Sequence, residues 1–201
     1  MASEDLDRLC YHLSRMELDL LYTLDDVPRD DQISLVIPWI RGMPMREAVT
    51  AIRRNLAAVP DVKMRLRCVA RIYCSLMSKG LIGPWVLYRI GDPEELIEDA
   101  PLFRFLRAIQ FRYDFPYFMK IRKEYTKICV LAPESEAPTA SHDVYCLCFW
   151  RALARVAVYK PREGYSDKLL HALREMLCGE PDTFKQGEYR DLRSAHEAAL
   201  L

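Results

Sequence analysis

Apolar residues recur three and four positions apart through most of this chain, the spacing that gathers side chains on one face of an α-helix. The first run is the clearest. Leu6, Leu9, Cys10, Leu13, Met16, Leu20, Leu21 and Leu24 follow Ser3 at the N-cap position, and Glu4 and Asp5 sit in the first turn, where acids suit the helix dipole. Asp25-Asp26-Val27-Pro28 closes that helix. Gln32–Ile40 reads as a short helix broken at Pro38. Met45–Ala58 carries Val49, Ile52 and Leu56 inward. Asp61 caps a helix with Val62, Leu66, Val69, Ile72, Tyr73 and Leu76 on one face and Gly80 as its stop. Asp92-Pro93-Glu94-Glu95 is a helix start, and Leu102, Phe105, Leu106 and Ile109 resume the spacing after Pro101.

Val144–Tyr159 reads as a buried helix with Tyr145, Cys148, Phe149, Ala152, Leu153 and Val156 inward, stopped by Pro161. Ser166 caps the last core helix, which turns Leu169, Leu170, Leu173, Met176 and Leu177 to the core, with Gly179 after it. Only Tyr113–Leu131 fits neither period: its Tyr, Phe, Ile and Val residues are strand-friendly types, and a short hairpin and a bent helix both stay open. The expected fold is therefore mainly α: a single compact multi-helix domain of about seven to nine helices over residues 1–201, with a small β element around 115–131. Residues 133–141 are expected to form a mobile proline-bearing loop, and residues 180–201 a polar C-terminal tail, with one more helix ending at Leu201 as an option.

A 51% apolar fraction is enough to build a core and too much for a disordered chain. The N-terminus, Met-Ala-Ser-Glu-Asp, has neither the basic start nor the apolar run of a secretory signal. The longest apolar stretches, Gln32–Ile40 and Leu81–Tyr88, fall short of the ~20 residues a membrane span needs. The seven cysteines are an odd number, and several lie in apolar stripes. They are expected to be reduced small hydrophobes in an intracellular, cytoplasmic protein, the nucleus remaining an option.

No motif assigns chemistry. The seven glycines form no phosphate loop, and neither His-Glu-x-x-His nor Gly-x-Ser-x-Gly occurs. His142, Cys146 and Cys148 lie close in sequence, with Cys129 upstream. In a helix Cys146 and Cys148 would point ~200° apart, whereas in a strand they would share a face. A second pair of zinc ligands is missing, so no metal is expected. Cys10 and His12 fall on different helix faces, which argues against a thiol–imidazole pair. No catalytic residue and no cofactor is assigned, and the reading leans away from an enzyme.

Charge is the most informative pattern. The formal net charge is zero, yet residues 1–31 hold nine acids against three arginines. Residues 44–90 reverse this, with nine basic residues facing only Glu47 and Asp61. Lys63, Arg67 and Arg71 recur every fourth residue and form a stripe on one helix. A second basic block follows at 104–127, interleaved with aromatic residues that include Phe103, Phe105, Phe111, Tyr113, Phe115, Tyr117, Phe118 and Tyr125. The candidate polyanion-binding set is Arg53, Arg54, Lys63, Arg67, Arg71, Arg104, Arg107, Lys120, Arg122 and Lys123. Trp39, Trp85 and Trp150 have apolar neighbours and are expected in the core rather than at an interface.

The leading functional expectation is a non-catalytic intracellular protein-interaction or regulatory protein with a protein partner, of which a viral accessory or host-modulating protein would be one form. The alternatives are a nucleic-acid-binding protein using the basic helix faces and an enzyme of unrecognised type.

Overall fold

A computed structural model of the chain describes residues 3–22, 24, 43–91, 100–109, 116–135 and 140–201. The expected helix over 32–40 with Trp39, the helix start at 92–95, and Phe111, Tyr113 and Phe115 lie outside these residues.

The fold is mixed α/β, with eight helices and a six-stranded antiparallel sheet among the described residues, which corrects the expectation of a mainly α helical bundle. The elements run α1 (Ser3–Leu13), α2 (Leu18–Tyr22), α3 (Met45–Ala58), α4 (Val62–Ser78), β1 (Trp85–Arg89), α5 (Ala100–Ala108), β2 (Tyr117–Ile121), β3 (Thr126–Pro133), β4 (His142–Trp150), β5 (Arg155–Tyr159), α6 (Asp167–Leu177), α7 (Pro181–Phe184), β6 (Lys185–Tyr189) and α8 (Leu192–Ala199). The strand order is β2-β3-β4-β5-β1-β6.

Where amphipathic spacing met a capping residue, the helix is present. Asp61 accepts from the amides of Lys63 at 2.8 Å and Met64 at 3.4 Å to start α4, and Ser166 accepts from the Leu169 amide at 3.4 Å to start α6. The first apolar run is broken by a turn after Leu13 and continues as α2, so it forms two helices rather than one.

The main departure is at 144–159. This segment is the hairpin β4–β5, joined by a short 3₁₀ turn over Arg151–Leu153 and by Ala154 in the left-handed region at φ 48°. Cys146, Cys148 and Trp150 enter one core, while Tyr145, Leu147 and Phe149 enter another. Helices cover both faces of the sheet, so both sets of alternating side chains are apolar. The run then loses the apolar–polar alternation that marks a strand with one wet face. The β element expected near 115–131 is real but small beside the whole: it is β2 and the greater part of β3.

One core lies between the sheet and α1, α3, α4 and α8, and it includes Leu9, Ile52, Tyr73, Leu76, Trp85 and Trp150. The second lies between the other sheet face and α5 and α6, and it includes Phe105, Phe149, Val158 and Leu173. The result is a three-layer α/β/α arrangement. The helix weighed for the end of the chain is present as α8, but the expected tail at 180–201 also forms α7 and β6: β6 pairs with β1, and Leu192, Ala195 and Ala199 are buried. Residues 134–141 connect β3 to β4, of which 136–139 lie outside the described residues. No helix among the described residues is long and apolar enough to cross a membrane.

The N-terminal helix is tied to the sheet by a buried polar clamp. The Asp5 carboxylate, in a residue 6% exposed, accepts from the His142 amide at 2.8 Å and lies 2.9 Å from Nδ1 of the same residue. Arg8 donates to the His142 carbonyl at 3.0 Å. These bonds satisfy the first residue of β4, and an acid read from the sequence as a dipole partner for α1 is spent on tertiary contact.

Candidate nucleic-acid interface

The ten candidate basic residues do not form one surface. Arg53 on α3 donates from Nη2 to Asp7 at 2.7 Å and to Ser3 at 2.9 Å, so the acidic block on α1 engages it. Arg54 is exposed beside it. Arg104 and Arg107 belong to α5, across the sheet from α4, and Arg104 donates to the Met176 carbonyl near the end of α6 at 3.1 Å.

The remaining six lie on α4 and on the neighbouring β2 and its turn. At ~100° per residue, Lys63, Arg67 and Arg71 share a helix face with Cys74 and Ser78. α4 packs against β2 and β3. Lys120 of β2 stands opposite Lys127 of β3 in register, on the sheet face that also presents Phe118 and Cys129 to the α4 core. Lys127 closes the seam, donating from Nζ to Ser78 Oγ at 3.3 Å while lying 4.6 Å from the centre of the Tyr125 ring. Partial burial lowers the Lys127 pKa, Cys148 and Cys74 oppose that shift, and Lys120 adds to it. Arg122 and Lys123 occupy the exposed β2–β3 turn, where the Arg122 amide donates to the Tyr125 carbonyl at 2.8 Å. Among the described residues, no carboxylate forms an ion pair with Arg67, Lys120, Arg122 or Lys123.

A groove of about 510 Å³ continues this surface toward α8, lined by Lys79, Tyr125, Lys127, Trp150, Arg193 and His196. His196 stacks on Trp150 with ring centres 5.1 Å apart. Arg193 and His196 fell in the expected tail, so the sequence reading missed them. Its only available signal was Asp191 as a helix cap, which accepts from the Ser194 amide at 2.8 Å.

Among the described residues, the aromatic half of the expected motif does not assemble. Phe105 is buried, and Phe103 is 66% exposed on α5 across the sheet from α4. Trp85 and Trp150 are buried, as their apolar neighbours suggested. The basic seam is thus suited to gripping phosphates, with only Tyr125 and Phe118 as partly buried aromatics beside it.

The cysteines take no part in any site. Cys146 and Cys148 share a strand face with Cys129, under Cys74 of α4. Burial pushes Cys74 and Cys148 up to about 12 and raises Cys129 well above the ordinary thiol range, so these thiols stay protonated and unreactive. None of the seven cysteines forms a disulfide, and no group of His, Cys, Asp and Glu among the described residues could hold a metal ion. His142, weighed as a ligand with them, is held by Asp5 instead. No protein-family model matches this chain, and no curated protein matches its sequence.

Proposed function

We propose that this protein binds nucleic acid through its phosphate backbone, using α4 and the β2–β3 turn as the contact surface. The observation that carries the reading is the packing of two basic segments far apart in sequence: α4, which bears the Lys63–Arg67–Arg71 row, packs against the strand pair that holds Lys120 and Lys127. Cations spaced along a helix and a neighbouring hairpin suit a chain of phosphates, and such binding is governed by counterion release. With no exposed stacking ring at the seam among the described residues, the reading is of a backbone binder with little base preference. Free thiols facing each other across β3 and β4 fit a reducing, intracellular compartment.

The protein-interaction reading rested on an all-helical body offering a groove. Its remaining support is Phe103, an exposed aromatic on the far side of the sheet.

The test is fluorescence anisotropy with labelled single-stranded and duplex oligonucleotides across a salt series. Binding should weaken linearly in log–log form with salt. Arg67→Glu combined with Lys120→Glu and Lys123→Glu should abolish it at moderate salt, and each neutralised contact should reduce the slope by roughly 0.7–0.9. Salt-independent binding, or full binding by the triple variant, sinks the reading.

A further inference from the structure

A second basic feature lies where α1 meets α4 and the loop after β5. It is a cleft of about 280 Å³ whose polar wall is made by Arg8, Tyr11, His12, Arg15, Tyr73 and Arg162. Two guanidiniums converge on one neutral oxygen there. Arg162 donates from Nη2 to the Tyr11 hydroxyl, and Arg15 donates to the same atom at 3.4 Å. Their guanidinium carbons lie 5.0 Å and 5.5 Å from the Tyr11 ring centre. Among the described residues neither arginine has a carboxylate partner; Arg8, the third, has Glu134 at 3.7 Å. Glu163 and Asp143 also line the cleft, and Asp143 accepts from the Tyr145 hydroxyl at 2.9 Å.

The second observation is at the floor. Tyr73 is 1% exposed, and its hydroxyl has no hydrogen-bond partner among the described residues. A buried donor left unmade is destabilising, and a water, an ion or a ligand can complete it. Beside it, His12 lies edge-on to the rings of Tyr73, Tyr159 and Tyr11 at 5.8, 6.3 and 5.6 Å. Burial first, and then Arg15, Arg162 and Arg8, hold His12 down at about 4 against a small opposing effect from Glu163. It is therefore a neutral imidazole near pH 7, with one N–H to give.

We propose that this cleft binds the phosphate group of a phosphomonoester. The two arginine forks take its oxygens in place of the Tyr11 hydroxyl, and Tyr73 donates the bond it lacks. Paired guanidiniums match a tetrahedral dianion better than a single carboxylate, because each presents parallel N–H groups to two oxygens. The volume lies near the lower end of the range for small-ligand pockets, and the tyrosine rings offer apolar walls to the ester's body. The contributors lie at residues 8–15, 73 and 162, apart from the α4–β2 seam, so this inference stands independently of nucleic-acid binding.

The full chain is titrated calorimetrically with inorganic phosphate, phenyl phosphate, a nucleoside 5′-monophosphate and, as a carboxylate control, benzoate. The expected result is saturable one-to-one binding of the phosphate compounds over benzoate. The ranking of free phosphate, aryl ester and nucleotide identifies the ester's body. Arg15→Met and Arg162→Met should each weaken binding about tenfold or more, while Tyr11→Phe, which removes only a competing acceptor, should not weaken it. Tyr73→Phe should lose about tenfold in affinity without lowering the melting temperature, a combination that a purely structural tyrosine would not give. Arg67→Glu with Lys120→Glu should leave phosphomonoester affinity unchanged. The proposal is overturned by no saturable binding up to about 10 mM, by benzoate binding as well as phenyl phosphate, or by unaltered affinity in Tyr73→Phe. Unaltered affinity in both folded arginine variants overturns it as well.

Discussion

At the scale of single residues, His12 has the clearest consequence for solution behaviour. Its imidazole is held at about 4 in the fold, against an ordinary value of 6.5, chiefly by burial and then by Arg15, Arg162 and Arg8. The native state therefore keeps it neutral while the unfolded chain takes up a proton as the pH drops below about 6.5. Stability from this group is complete above 6.5, falls as the pH drops from 6.5 toward 4, and levels off below that. Thermal melts across this window should show the decline, and His12→Gln should flatten it. An equally steep decline in the variant would locate the effect elsewhere. Little of this cluster was legible beforehand. Its members come from α1, α4 and the loop after β5, and nothing in local spacing links Arg15 to Arg162 or either to Tyr73. The same holds for Asp5, whose carboxylate reads as a helix-dipole partner until β4 is seen to begin against it.

At the scale of elements, legibility followed local chemistry. α3, α4 and α6 were visible because each has one wet face, an apolar stripe and a recognisable start. β4 and β5 were not, because a strand covered on both sides carries no alternation, and its run of Tyr, Cys, Leu, Phe and Val meets a buried-helix pattern equally well. The basic row on α4 was read correctly as a stripe, but its neighbour could not be, since β2 and β3 approach it only through the sheet. The end of α6 makes a test of element-level reasoning. Cys178 adopts φ 56° just past the helix, in a position that favours glycine, and its side chain is exposed. Cys178→Gly should raise unfolding stability by about 0.5–1 kcal/mol, since the left-handed strain is relieved and no packing is lost. Chemical denaturation measures this, and a lower midpoint would show that the cap geometry is not limiting.

At the scale of the whole molecule, the segment from 180 onward changes status most. It looked like a tail because β6, Lys-Gln-Gly-Glu-Tyr, is an edge strand with mostly exposed side chains, and because α8 buries only Leu192, Ala195 and Ala199. Yet β6 covers the open side of β1, and α8 seals the core by placing His196 against Trp150. Removing residues 180–201 should therefore abolish cooperative unfolding and expose apolar surface, read by dye binding and loss of a sharp melt. A truncated chain that still melts sharply at the parent temperature would refute this.

The strand order has one further consequence, and it concerns time. β1 lies between β5 and β6, and Trp85 pairs with Tyr159 on one side and Tyr189 on the other. Its first four residues are all buried in the finished protein. During synthesis at ~5–20 residues per second, β1 leaves the ribosome seconds before either neighbour exists. For that interval a sticky, unpaired strand has the helices already made, α1 to α4, to lean against. This chain's dependence on its final segment thus begins at the ribosome, where chaperone capture of the nascent β1 would matter most.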